Sequence, residues 1–152
     1  MSYRPTTIAN YFIEKYGKNG ELTPMKLLKL TYISYGFYLA ITKGEKKLVD
    51  EKPVAWDLGP VFPSLYGDIK KSYEKWSITK KIPTIISENL EEQDKTFLDR
   101  IWGLYGKFSG EYLSALTHEE GTPWSEVYCK GCNSILSDES ILEHYKSKLK
   151  IA

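Results

Sequence analysis

Arginine is almost absent from this 152-residue chain, whose only guanidinium groups are those of Arg4 and Arg100. Arginine is the side chain best shaped for bidentate contact with phosphate and guanine, so its scarcity argues against a dedicated nucleic-acid reader. An excess of either charge is also lacking. Lys and Arg number 21 against 20 Asp and Glu, and a net charge of +1 gives no overall field to draw in nucleic acid or an anionic membrane. Neither is therefore an expected partner. Long apolar runs are missing as well: the longest uncharged stretch, Leu30 to Thr42, is too short to cross a bilayer core of ~30 Å as a helix. Met1-Ser2-Tyr3-Arg4-Pro5 carries no apolar signal core. The expectation is a soluble, cytoplasmic protein, and its two cysteines fit a reducing compartment in which they stay thiols.

The residue sets that chemistry needs are equally sparse. There is no glycine-rich phosphate loop and no acidic loop with calcium-binding spacing. His118-Glu119-Glu120 opens like a zinc-protease helix, but Thr122 stands where the second histidine has to be. His118 is instead expected to hydrogen-bond the turn before Gly121. Cys129-Lys130-Gly131-Cys132 has zinc-knuckle spacing, and His118 and His144 would complete a four-ligand set. Their separations from the cysteines match no standard finger, and the flanks do not read as the strand-then-helix setting of a redox pair. Two thiols beside a turn remain as the plain reading. No catalytic residue, no cofactor and no metal are expected, with Cys129, Cys132, His118 and His144 as the alternative metal set.

What the chain does hold is rings: twelve Tyr and four Trp, within 41% hydrophobic and 27% charged residues that otherwise match globular averages. Its length suits one domain with a core large enough to need no staple. Thr7 is a candidate cap for a first helix through Ile8, Tyr11, Phe12 and Tyr16. Thr23-Pro24 supplies a capping hydroxyl and a proline at the first helical position of a second helix, which runs to about Lys43-Gly44. That helix is apolar on nearly every side and should be central. Lys26 and Lys29, three apart on it, are expected to lift their amines out of the core along one edge. Leu48-Val49 and Val54-Ala55-Trp56 read as a small two-stranded element near residues 46–58. Gly59-Pro60-Val61-Phe62-Pro63 then turns the chain into a third helix striped by Leu65, Tyr66, Ile69, Tyr73 and Trp76. Residues 77–87 read as a loop with an extended piece at Thr84-Ile85-Ile86. Asn89 and Glu92 form a capping box for a helix through Phe97, Leu98, Ile101, Trp102 and Tyr105. Ser109 caps a short helix through Leu113 and Leu116, Thr122-Pro123 repeats the earlier Thr-Pro start, and Ser137-Asp138-Glu139 opens a last helix over 137–150. The fold class expected is mainly α: a single compact helical domain, residues 1–152, wrapped around one hydrophobic helix.

Three ordered groups carry a resemblance. They are Lys26-Leu27-x-Lys29-Leu30-x-Tyr32; Trp56-x-x-Gly59-Pro60-Val61 with Leu65-Tyr66 soon after; and Leu113-x-x-Leu116-Thr117-His118-x-x-Gly121-x-Pro123-Trp124. Together they resemble the Panacea domain, the SocA-like or GepA-type phage-associated family, over Ile8 to Val127. The resemblance implies a helical, non-enzymatic antitoxin of a bacterial or prophage toxin–antitoxin pair, which neutralises a cognate protein toxin by binding it. It also implies that Lys26, Lys29, Tyr32, Trp56, Gly59, Pro60, Tyr66, Thr117, His118, Gly121, Pro123 and Trp124 are structural positions. A regulatory or protease-adaptor protein that presents a partner is one alternative, and a small metal-dependent enzyme using Cys129, Cys132 and a histidine is another. For the partner surface, exposed aromatic rings are good anchors. Tyr38 and Trp76 are the candidates, each with core packing as the other reading. Asp57 is either a partner-contacting charge or a satisfied carboxylate at the strand-to-turn junction.

Overall fold

A helix with apolar residues on every side has no face to offer water, and α2 (Pro24–Ile41) is accordingly the axis of the fold, buried continuously from Lys26 to Ala40. The computed structural model describes residues 2–72 and 77–149. The Thr23 hydroxyl accepts the Lys26 N–H and Pro24 occupies the first turn, so α2 starts where its sequence says it should. Around it lie α1 (Pro5–Tyr16), α3 (Pro63–Lys71), α4 (Glu92–Tyr105), α5 (Gly110–His118) and α7 (Asp138–Leu149), each in contact with it. The short α6 (Pro123–Val127) touches α5 and α7. α7 comes close at Gly36, where a Cβ would meet the Tyr145 ring at 2.3 Å; only a missing side chain lets α7 lie this near.

The caps of the short helices follow the sequence. The Ser109 hydroxyl accepts the Tyr112 N–H, that of Thr122 the Ser125 N–H, and that of Ser137 the Ser140 N–H. Two starts differ. α1 begins at Pro5, because proline at the first position pre-sets the helical φ, and the Thr7 hydroxyl donates to Glu88 at 2.5 Å instead of capping. α4 begins at Glu92 with no side-chain cap, so Asn89 plays no such role; Glu92 and Asp94 in its first turn suit the helix dipole. Thr84-Ile85-Ile86 forms no strand, and Ile85 is 98% exposed. In α3, Leu65 and Ile69 face inward, while Tyr73 and Trp76 lie outside the described residues.

The strand pair is displaced from its expected place. β1 (Val54–Trp56) pairs antiparallel not with Leu48-Val49 but with β2 (Gly59–Val61), in the register Val54 to Val61 and Trp56 to Gly59. Val49 makes an isolated bridge to Tyr3. Pro60 tolerates a strand here because it sits on the outer edge of the pair, where its missing N–H breaks no ladder bond. The other edge of β1 is taken: the Ala55 N–H donates to the Ser134 carbonyl and the Leu136 N–H to that of Pro53.

One buried carboxylate fastens three parts of the chain. Asp94 accepts the hydroxyls of Tyr3, at 2.7 Å, and Tyr38, at 2.9 Å, tying the N-terminal segment and α2 to α4. Tyr38 is therefore a core residue and not a surface anchor. Among the described residues no helix is long and apolar enough to cross a membrane.

Candidate functional site

Lys26 and Lys29 both point inward, contrary to the expectation that their amines escape along an edge; both are buried beneath the elements that cover α2. The Lys26 ammonium donates to the Gly106 carbonyl at 2.5 Å and lies 5.0 Å from the centre of the Trp102 ring, a cation–π contact. Lys29 is 0% exposed, and its ammonium donates to the Pro60 carbonyl at 2.9 Å. Among the described residues no carboxylate forms an ion pair with it. Desolvation alone pulls this amine down to about 7, so a proton that a surface lysine keeps is only loosely held here.

Gly59 belongs to the same unit. Its φ of +115° suits glycine, and a Cβ there would stand 3.0 Å from the Lys29 ammonium and 3.4 Å from the Thr117 hydroxyl oxygen. Lys29, Gly59, Pro60 and Thr117 are thus one packed joint between α2, β2 and α5. Tyr32, one turn further along α2, is buried with its hydroxyl unpaired and its ring set edge-on to Tyr145.

Above this joint the rings lock together. Trp56 meets Tyr66 edge to face, with centres 5.1 Å apart, and its indole N–H donates to the Asn133 side chain at 2.8 Å. The Trp124 indole N–H donates to the Trp56 carbonyl at 2.6 Å, and its ring stacks on Tyr128 at 4.4 Å. The Tyr128 hydroxyl donates to Asp57, which raises that hydroxyl's pKa. His118 packs edge-on against Trp124 at 5.2 Å, with its Nδ1 3.4 Å from the Ser114 hydroxyl; it braces the next helix, not the turn before Gly121. Gly121 takes a left-handed φ of +86° in that turn, and Pro123 opens α6.

Lys29, Trp56, Asp57, Gly59, Tyr66 and Asn133 of this set line a depression of about 520 Å³. Met25, Leu28 and Lys29 form its floor, Trp56, Leu58 and Tyr66 its apolar wall, and Asp57, Lys130 and Asn133 its polar margin. Leu58, at the tip of the hairpin, is 60% exposed and Tyr66 41%. A second depression, of about 810 Å³, lies between α1 and residues 81–95 and is polar. Its main groups already answer one another: the Asn10 amide donates to and accepts from the Ile82 backbone, and Glu88 accepts from the Arg4 N–H and the Thr7 hydroxyl. The first depression is the better candidate, because its apolar wall is unsatisfied.

Of the residues expected to meet a partner, Asp57 is on this margin, Tyr38 is in the core, and Trp76 is outside the described residues. Leu58 was not legible as a site residue. Its exposure follows from occupying a two-residue loop, which shows only once Gly59–Val61 is known to be a strand. Cys129 and Cys132 face each other across the turn, with Cα atoms 5.4 Å apart. His144 lies against the Tyr145 ring, where desolvation and then Lys148 lower its pKa. Among the described residues no three of His, Cys, Asp and Glu are grouped to hold a metal ion, so the proposed four-ligand set does not assemble.

The family described as antitoxin SocA-like, Panacea domain, matches residues 27–125, a narrower span than Ile8 to Val127. Comparison with curated proteins and with solved structures gives no match.

Proposed function

Because the chain belongs to the SocA-like Panacea antitoxin family, we propose that it neutralises a cognate protein toxin by direct, non-covalent contact in the cytoplasm. The reading assigns it no reaction. The observation that carries it is where the family's motif residues meet. Lys29, Trp56, Gly59 and Tyr66 come from four separate elements and converge on one depression that leaves Leu58 and Tyr66 in water. Burying each such side chain against a partner is worth roughly 1.5–3 kcal/mol, a driving force suited to association.

The test is co-expression with the product of the neighbouring gene, followed by co-purification. Restored growth together with a stable complex is the expected result. Suppression should persist in a host lacking its energy-dependent proteases, since occlusion needs no degradation. A neighbouring product that this protein neither binds nor suppresses defeats the reading, and suppression confined to protease-competent cells transfers the role to an adaptor.

A further inference from the structure

Cys129 and Cys132 are both exposed, and their Cα atoms, 5.4 Å apart, lie within the roughly 4.4–6.8 Å that a disulfide spans. The backbone already holds them there. The Cys132 N–H donates to the Cys129 carbonyl at 3.0 Å, and Gly131 and Asn133 take left-handed φ values of +76° and +53°. The residues flanking the pair grip the hairpin. Tyr128, immediately before Cys129, donates its hydroxyl to Asp57, and Asn133, immediately after Cys132, accepts the Trp56 indole N–H at 2.8 Å. Ser134 extends the grip by accepting the Ala55 N–H at 2.8 Å. The cysteine turn thus sets the distance between two jaws that close on adjacent residues, 56 and 57. Water can compete for the hydrogen bond that spans this turn, whereas a disulfide across the same span is covalent.

We infer that Cys129 and Cys132 are a site of reversible oxidation, closing to a disulfide when a small-molecule disulfide such as oxidised glutathione accumulates, and thereby stiffening the hold on Trp56 and Asp57. The step is two exchanges. The thiolate of one cysteine attacks a sulfur of oxidised glutathione and displaces one glutathione thiolate; the thiolate of the other attacks the mixed disulfide at the protein sulfur and displaces the second. The two cysteine protons end on the two released glutathione molecules, so the cysteines are oxidised as the glutathione disulfide is reduced. Helix α6 precedes the pair and an isolated bridge at Ile135 follows it, the reverse of the strand-then-helix setting of a catalytic oxidoreductase, so the pair responds to oxidant and does not process substrates. The site stands whether or not the chain neutralises a toxin.

The experiment treats the reduced full chain with oxidised glutathione and follows intact mass, free thiols and hydrogen exchange. The expected product is a monomer lighter by two hydrogen atoms and without free thiols, which excess reduced glutathione returns to the dithiol. Cys129→Ser and Cys132→Ser should each stop at a single glutathione adduct; both positions are exposed, and thermal unfolding verifies the fold of each variant. In the oxidised unaltered protein the Cys132 and Ala55 amides should exchange about threefold or more slowly, while those of α1 change by less than about twofold. Lasting glutathione adducts on the unaltered protein, or a disulfide-linked dimer, overturn the site. A disulfide that excess reduced glutathione leaves intact is a permanent staple and overturns reversibility. Unchanged exchange at Ala55, or equal slowing in α1, overturns the coupling to the hairpin.

Discussion

At the scale of single residues, the most consequential group is the Lys29 ammonium. Its folded pKa, about 7, lies below the ~10.4 of an unfolded lysine, so between those values the unfolded chain holds more protons and stability rises with pH. Lys29→Met removes the titration while keeping the stem's volume. Denaturant unfolding at pH 7 and pH 9.5 should show the unaltered protein gaining on the order of 2 kcal/mol relative to Lys29→Met. An equal pH response in both would show that this amine is not desolvated. Lys29→Ala, which removes the same titration and leaves a hole as well, should be less stable than Lys29→Met by roughly 2–5 kcal/mol at either pH. Next to it, Gly59→Ala should destabilise by roughly 1–3 kcal/mol, through the positive φ and the contact with the ammonium. Part of that cost should vanish in the Lys29→Ala background, which a double-mutant cycle measures. The inward direction of Lys26 and Lys29 was not legible in the sequence. A lysine on an apolar helix reads as one that reaches water, and whether water is within reach depends on helices far along the chain.

At the scale of elements, short-range stereochemistry was legible and pairing across the chain was not. Thr23-Pro24, Ser109 and Thr122-Pro123 mark helix starts because a hydroxyl and a fixed φ act within one turn, and all three caps form. Replacing Thr23 or Thr122 by Ala should cost about 0.5–2 kcal/mol in denaturant unfolding. The hairpin was misplaced because Gly59-Pro60 reads as a turn; its strand character comes from α2 and α5, which supply the carbonyl's donor and the packing surface. The apolar wall beside it was hidden for the same reason. Gly36→Ala should force Tyr145 off α2, at a cost of roughly 1–3 kcal/mol. Hydrogen exchange should then show faster exchange in α7 than in α5, a contrast that uniform loss of stability does not produce.

At the scale of the whole molecule, the central helix was legible and the means of holding its surroundings in place were not. Asp94 joins residues 91 positions apart in sequence, and nothing local in the chain announces that its carboxylate is buried between two tyrosines. Burial, followed by the Asp94 hydrogen bond, raises the Tyr3 hydroxyl to about 12, so the clasp keeps its protons well above neutral pH. Tyr3→Phe should lower stability by roughly 1–3 kcal/mol by removing a donor to a buried carboxylate. Tyr3→Ala, which also opens a hole, should cost more.

The position of Tyr145 against Gly36 has a temporal meaning during translation. When α2 leaves the ribosome, the helix that will cover its Gly36 face has still to be made, about a hundred codons downstream, on the order of ten seconds of synthesis at usual rates. Throughout that interval one greasy stripe of the nascent polypeptide, the one the last helix will cover, stays open to chaperones and proteases. A chain halted late in the message, already long enough to contain every motif, is therefore expected to be cleared faster than the finished protein, which pulse-chase of a message truncated before codon 138 would measure.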